Sequence, residues 1–277
     1  MPSLIAAAVQ MTSGPDLREN LRAAAELVRR AADRGARLIV LPENFPIMTA
    51  AEADKRAAAE VLDAARPGPV LTAMAEAAVK AGAWLVLGGM PERPADAAGG
   101  DERFHNAAVV LDERGAMRAV YRKIHLFDVA IPDGASYAES RSVRPGGAPV
   151  VVDTPWARLG LSVCYDVRFP ELYRALSAQG AQILVVPAAF TLHTGRDHWH
   201  VLLRARAIEN LCFVIAPAQV GKHDGGRQTY GHSLIVEPWG TVVADAPDGP
   251  GLAVAELDLD RQQRLRTEQP ALDHRRL

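Results

Sequence analysis

Three reactive side chains in this sequence each sit at the end of a short, mostly apolar run. Glu43 closes RLIVLPE (37–43), Lys123 closes AMRAVYRK (116–123) and Cys164 closes RLGLSVC (158–164). Buried strands of an α/β protein deliver functional groups at their carboxyl ends, so the three are candidates for one site. A thiol that attacks an amide must lose its proton, and the departing nitrogen must gain one; a single carboxyl such as Glu43 can serve both steps. Burial is expected to raise the Glu43 pKa toward the working pH. The oxygen of the tetrahedral intermediate needs fixed positive charge, which Lys123 and the Tyr165 amide can supply. Cys164 precedes a turn into a helix, where amide N–H groups favour thiolate and oxyanion. Cys212, inside LCFVIA, reads as an inert core residue.

The elements that must hold these groups follow from apolar periodicity and from breakers. Strands are expected at 4–10, 37–41, 84–87, 106–111, 116–121, 150–153, 158–163, 182–186, 212–216, 232–237, 241–244 and 252–257. Helices are expected from Pro15 to Gly35, over the alanine-rich 52–65 and 70–80, and over 169–179 and 197–210. Pro94 to Gly100 reads as a surface loop, and 126–147 as a long irregular stretch of the kind that is usually functional. Strands and helices alternate with hairpins in both halves. Each sheet must then cover one face with helices and the other with its partner, which gives an α/β fold, a four-layer αββα sandwich of two mixed β-sheets. No linker rich in Pro, Gly or Ser divides residues 1–277, so one domain is expected.

Composition narrows the partners. With 277 residues, 49% hydrophobic, and a formal net charge of −2, the chain can bury a large core and carries no basic stripe. Nucleic acid and anionic membrane are therefore not expected as partners. Two cysteines without CxxC spacing fit a reducing cytoplasm. The apolar start MPSLIAAAVQM lacks a basic n-region and reads as a first strand. His193, His198 and His200 are close in sequence, but their spacing fits no ordinary zinc pattern, so neither metal nor cofactor is expected. His198 is instead expected to line the pocket or cap the following helix.

LPENF (41–45), YRKIHLF (121–127) and VCYDVRFPELYR (163–174), in this order, resemble the Glu-Lys-Cys motifs of the nitrilase superfamily of carbon–nitrogen hydrolases. The resemblance runs from VQM near the start to the HRR tail. It implies the same αββα sandwich, a dimer or larger homo-oligomer, hydrolysis of a small linear amide through a cysteine thioester, and a second glutamate, here Glu139, that holds Lys123. YRKIHLFD, CYDVRFPE and GHSLIVEPWG are shared with two branches, the deaminated glutathione amidases and the omega-amidases. The short basic stretch AQVGKHDGGRQTYGHS (218–233) is similar to the deaminated glutathione branch, whose products are 2-oxoglutarate and cysteinylglycine in metabolite repair. A substrate with carboxylates at both ends needs cations away from the scissile bond, and Arg168, Arg196, Lys222, His223 and Arg227 are the candidates. An omega-amidase acting on 2-oxoglutaramate or 2-oxosuccinamate, and an N-carbamoyl amino acid amidohydrolase, are the alternatives. Two readings of other kinds are a papain-like pairing of Cys164 with His125 or His232, and a catalytically silent binding or scaffold protein.

Overall fold

In the computed structural model, which describes residues 3–95, 101–130 and 136–276, alternating burial along the strands sets the layers. The first sheet contains β1 (Leu4–Gln10), β2 (Leu38–Val40), β3 (Trp84–Glu92), β4 (His105–Leu111) and β5 (Met117–Arg122). On one face Ala6, Ala8, Leu38, Val40, Trp84, Val86, Ala108 and Val110 meet the second sheet. On the other, Ala7, Val9, Ile39, Leu41, Leu85, Leu87, Val109 and Leu111 pack under helices. A period of two with both faces apolar is what a strand covered on both sides requires.

The covering helices are α1 (Leu17–Asp33), which presents Leu27, Val28 and Ala31, and α3 (Pro69–Ala81), which presents Val70, Met74 and Ala78. The Asp16 carboxylate caps α1 by accepting from the Arg18 and Glu19 amides at 2.8 and 3.0 Å. Between them, α2 (Glu52–Ala57) is one short helix, not the long one expected over 52–65. Glu60 leaves the helical path because its backbone pairs with β3, Glu60 N–H to the Pro91 carbonyl and Arg93 N–H to the Glu60 carbonyl. Its carboxylate accepts from the Val70 and Leu71 amides at the start of α3. Tertiary partners thus override the helix propensity of the alanines.

The chain then makes β6 (Asp128–Ala130) and β7 (Ser136–Ala138), an antiparallel pair inside the stretch expected to be irregular, of which residues 131–135 lie outside the described residues, and a 3₁₀ turn follows at Glu139–Arg141. Part of the expected 94–100 loop, residues 96–100, lies outside the described residues. The second sheet uses β8 (Val150–Asp153), β9 (Arg158–Leu161), β10 (Ile183–Val185) and β11 (Phe213–Ala216). A short hairpin, β12 (Val220–Lys222) with β13 (Gln228–Tyr230), interrupts it before β14 (Leu234–Val236) and β15 (Val242–Asp245). Finally β16 (Gly251–Leu257) returns to the first sheet beside β1.

The sheet orders are β16-β1-β2-β3-β4-β5 and β15-β14-β11-β10-β9-β8. In each, three parallel central strands are flanked by antiparallel ones, with one flanking strand at one edge and two at the other. Helices α4 (Pro170–Ala178) and α5 (Leu192–Asn210) contribute Leu172, Tyr173, Leu176, Trp199, Leu203 and Ala207 to the core containing the second sheet. This is the expected αββα arrangement of two mixed sheets. Helix α5 begins five residues before the expected Asp197, and α6 (Leu259–Glu268) follows β16 where no helix was expected. Among the described residues, no helix is long and apolar enough to cross a membrane.

Candidate active site

The carboxyl ends of β2 and β5 in one sheet and of β9 in the other converge on a cavity of about 240 Å³. Glu43, Lys123, Glu139, Cys164 and Tyr165 line it together with Asn106, Phe127, Tyr137, Ala189, Phe190 and Arg227. The three side chains read from the sequence, and the second glutamate, therefore share one space.

Lys123 is 2% exposed, and a buried ammonium needs anionic partners. Its Nζ lies 3.0 Å from Glu43 Oε1 and 2.9 Å from Glu139 Oε2. Asn106 Nδ2 donates to both carboxylates, at 2.9 Å to Glu43 and 3.2 Å to Glu139, and the Phe127 amide donates to Glu139 at 2.7 Å. The far oxygen of Glu43 accepts the Ala189 amide at 2.9 Å. Room for Glu43 depends on Gly89, which lies in a bulge of β3 with φ of +53°. A Cβ there would stand 2.7 Å from Glu43 Cγ and 2.7 Å from Asn106 Oδ1.

The electrostatics differ from expectation at two points. Burial does raise the Glu43 pKa, but the Lys123 charge and hydrogen bonds from Cys164 and Lys123 outweigh it and hold the carboxyl below the ordinary glutamate value of 4.5. Burial and the neighbouring Glu43 charge push the Cys164 thiol well above its ordinary value, beyond what Lys123 and the Ala189 amide recover. The resting pair is thus thiol and carboxylate, not the thiolate expected from amide dipoles. Burial opposes the charge on Lys123, yet Glu139 and Glu43 raise its pKa above that of a free lysine.

Cys164 itself occupies a strained turn, with φ of +50° in a non-glycine residue. Its amide is tied to the Pro187 carbonyl at 2.8 Å, and Asp166, fully buried, accepts the Val163 amide at 2.9 Å and the Tyr121 hydroxyl at 2.7 Å. These bonds pin the turn between the two sheets. Asp166 also takes His125 Nδ1 at 2.7 Å, and the His125 ring stacks on Phe169 with centroids 3.7 Å apart. His232 pairs with Asp245, and neither imidazole lines the cavity, so the geometry gives no support to a histidine base.

Residues 5–267 match the carbon–nitrogen hydrolase family. This chain belongs to that family. The hydrolase is 48% identical over 277 residues to a deaminated glutathione amidase of Synechocystis sp., a match covering 99% of each chain. It is 46% identical over 275 residues to the human deaminated glutathione amidase, covering 98% of this chain and 82% of the human one. Its structure aligns with Saccharomyces cerevisiae Nit3, a member of branch 10 of the nitrilase superfamily, at a TM-score of 0.88 and 31% identity, covering 99% of this chain and 97% of Nit3.

The other candidates in the hydrolase separate into three groups. Arg227 borders the cavity, donates to the Ala189 carbonyl at 2.7 Å and lies over the Tyr137 ring. Its Nε and the Oδ1 of Asn106 are buried without a hydrogen-bond partner among the described residues. Arg196 and His193, with Lys55, line an adjoining outer hollow that shares Arg227, Tyr137 and Thr191 with the inner cavity.

Arg168 and His198 lie behind the wall: Arg168 sits over the Tyr165 and Phe190 rings and meets His198 Nδ1 at 3.2 Å. His198 is inside α5, so it neither lines the cavity nor caps the helix. His223 does not face the cavity either, because its Nδ1 is held by the Ser13 carbonyl and its Nε2 by Thr229 Oγ1. Lys222 is exposed on β12 and lines neither space. Asn106, Ala189 and Lys55 were missed in the sequence. Asn106, a polar residue next to the start of the otherwise apolar β4, was the one visible signal.

Proposed function

We propose that this carbon–nitrogen hydrolase cleaves deaminated glutathione to 2-oxoglutarate and cysteinylglycine, with Cys164 as nucleophile, Glu43 as general base and acid, and Lys123 with the Tyr165 amide as oxyanion donors. The observation that carries the reading is the meeting of Cys164, Glu43 and Lys123 in one cavity, where Lys123 lies 3.0 Å from Glu43 and holds that carboxyl in its ionised form. The Cys164 proton passes to Glu43 as sulfur bonds to the amide carbon, and the carbonyl oxygen takes negative charge beside Lys123. Glu43 returns the proton to nitrogen as the C–N bond breaks, releasing cysteinylglycine and leaving a thioester. Water then gives a proton to Glu43 and adds to the thioester carbon; the C–S bond breaks, and the sulfur recovers its proton. Glu139 holds Lys123 in place and does not touch the reacting atoms.

The choice of amide rests on shape and charge together with the relatives' names. The inner cavity opens to a hollow in which Lys55 is paired with Glu52 at 2.8 Å and Asp224 accepts from Thr49 and the Ala50 amide, while Arg196 and Arg227 are the cations that suit a second carboxylate far from the scissile bond. A charged hydrogen bond is worth roughly 1.5–3 kcal/mol, or about tenfold or more in kcat/KM. Assay of both substrates should therefore give deaminated glutathione at least a tenfold advantage over 2-oxoglutaramate. A preference for 2-oxoglutaramate would assign an omega-amidase instead.

The pH profile follows from the two titrating groups. Activity requires ionised Glu43, whose pKa lies below 4.5, so kcat/KM should fall only in acid beyond the ordinary glutamate range. Lys123 keeps its proton past the free-lysine value of 10.5, so no alkaline loss from it is expected below that pH. A bell centred near neutrality, with limbs close to 6 and 8, would contradict this assignment.

The unit is proposed to act as one domain in the cytoplasm, consistent with two buried free cysteines. It is proposed to dimerise through α5, where Val201 is 64% and Ile208 48% exposed, seven residues apart on one helix face.

A further inference from the structure

His193, His198 and His200 are dispersed by the fold: the first lines the outer hollow, the second meets Arg168, and the third turns toward the second sheet. There His200 joins His232 and Asp245, which no three-residue spacing could have revealed. We propose that His200, His232 and Asp245 form a binding site for a divalent transition cation of the zinc class, apart from the catalytic cavity.

The ligand atoms of all three lie within 4.8 Å of one another. Asp245 Oδ2 stands 3.3 Å from His200 Nε2 and 3.3 Å from His232 Nδ1. Tetrahedral zinc bonded at about 2.0–2.1 Å places its ligand atoms about 3.3 Å apart, so two edges of the tetrahedron are already at length. The third, between the two nitrogens, is closed by modest rotation of rings that are about one third exposed. As hydrogen bonds to a carboxylate these contacts are long. The His125–Asp166 pair of the same protein sits at 2.7 Å, within the ordinary range.

Three separate elements hold the trio. His200 is on α5, His232 follows β13 and Asp245 ends β15. Gly195 lets Tyr230 press onto α5, since a Cβ there would lie 2.3 Å from Tyr230 Cβ. The Tyr230 ring in turn packs on His232, with centroids 4.5 Å apart. His232 itself has φ of +53° and is held by Trp199 Nε1 donating to its carbonyl at 2.9 Å. This uncommon backbone state aims the imidazole at Asp245. Two imidazoles and one carboxylate leave a fourth position for water, a donor set suited to zinc, cobalt or nickel over calcium or magnesium.

The test uses the full chain, stripped with EDTA and titrated with zinc chloride by calorimetry and with cobalt(II) by visible absorption. One cation per chain is expected, with the intense absorption of four-coordinate cobalt and a melting temperature about 5 °C higher at 100-fold excess over Kd. His200→Ala and Asp245→Asn should each weaken binding at least about tenfold. Cys164→Ala should bind as the parent does, which separates this site from the thiol. In the unaltered protein, zinc should protect His200 and His232 from diethyl pyrocarbonate, mapped by mass spectrometry. Absence of saturable binding, binding lost only in Cys164→Ala, or unprotected histidines at saturating zinc would each overturn the proposal.

Discussion

Replacing Cys164 with Ala is expected to lower kcat/KM toward deaminated glutathione by about four orders of magnitude or more, with the fold retained. Cys212 cannot stand in for the lost nucleophile. It is buried on another part of the second sheet, where its Sγ contacts the Ala181 and Asn210 carbonyls at 3.2 Å each, and burial pushes its thiol up to about 11. Glu43→Gln keeps the sulfur but removes the carboxylate proposed to take its proton, so a loss of about 10²- to 10⁴-fold is expected. Mass spectrometry of protein quenched during turnover should place the acyl group on the Cys164 peptide in the parent. Activity within tenfold of the parent in Cys164→Ala would remove the thioester mechanism. A near-normal rate in Glu43→Gln would return the base role to a histidine.

Lys123→Met should damage stability as well as turnover. The substitution leaves Glu43 and Glu139 facing each other across the space the ammonium filled, with Asn106 bridging them. Removing one partner of a buried ionic group costs about 3–5 kcal/mol, which corresponds to a melting temperature lower by roughly 10 °C in a chain of this size. The sign with pH is definite. In the parent, Glu43 has a depressed pKa, so it contributes stability above 4.5 that is lost as pH falls through its folded value. Without the lysine the carboxylates repel, their pKa values rise, and one takes a proton. The deficit of Lys123→Met is therefore largest at neutral and alkaline pH and shrinks in acid. Thermal melts at pH 5 and pH 8 measure it; an equal deficit at both would show that the lysine acts by packing alone.

How far the site was legible depends on which interaction placed each residue. Glu43, Lys123 and Cys164 were visible because each follows an apolar run whose burial fixes where the strand ends. Glu139 was reachable only through resemblance: it sits on a 3₁₀ turn that no periodicity marks. His198 was misplaced because the helix was expected to begin at Asp197, whereas α5 begins at Leu192, ahead of Gly195. The glycine is there for Tyr230 to pack against, and α5 runs straight through it. Lys222 and His223 looked like free cations in a loop, but β12 and β13 pair there and lock the His223 ring. Likewise, the helix expected over 52–65 failed at Glu60, whose partners on β3 and α3 are distant in sequence. The shift of Glu43 to lower pKa could not be read from burial alone, because its sign is decided by a lysine 80 residues away.

Because Glu43 and Lys123 are delivered by one sheet and Cys164 by the other, the reaction centre is also a gauge of sandwich alignment. A slip of one layer against its mate by about one ångström would part the sulfur from the carboxylate proposed to take its proton while leaving every strand intact. Turnover should then be the most sensitive reporter of inter-sheet registry, failing ahead of any spectroscopic sign of unfolding.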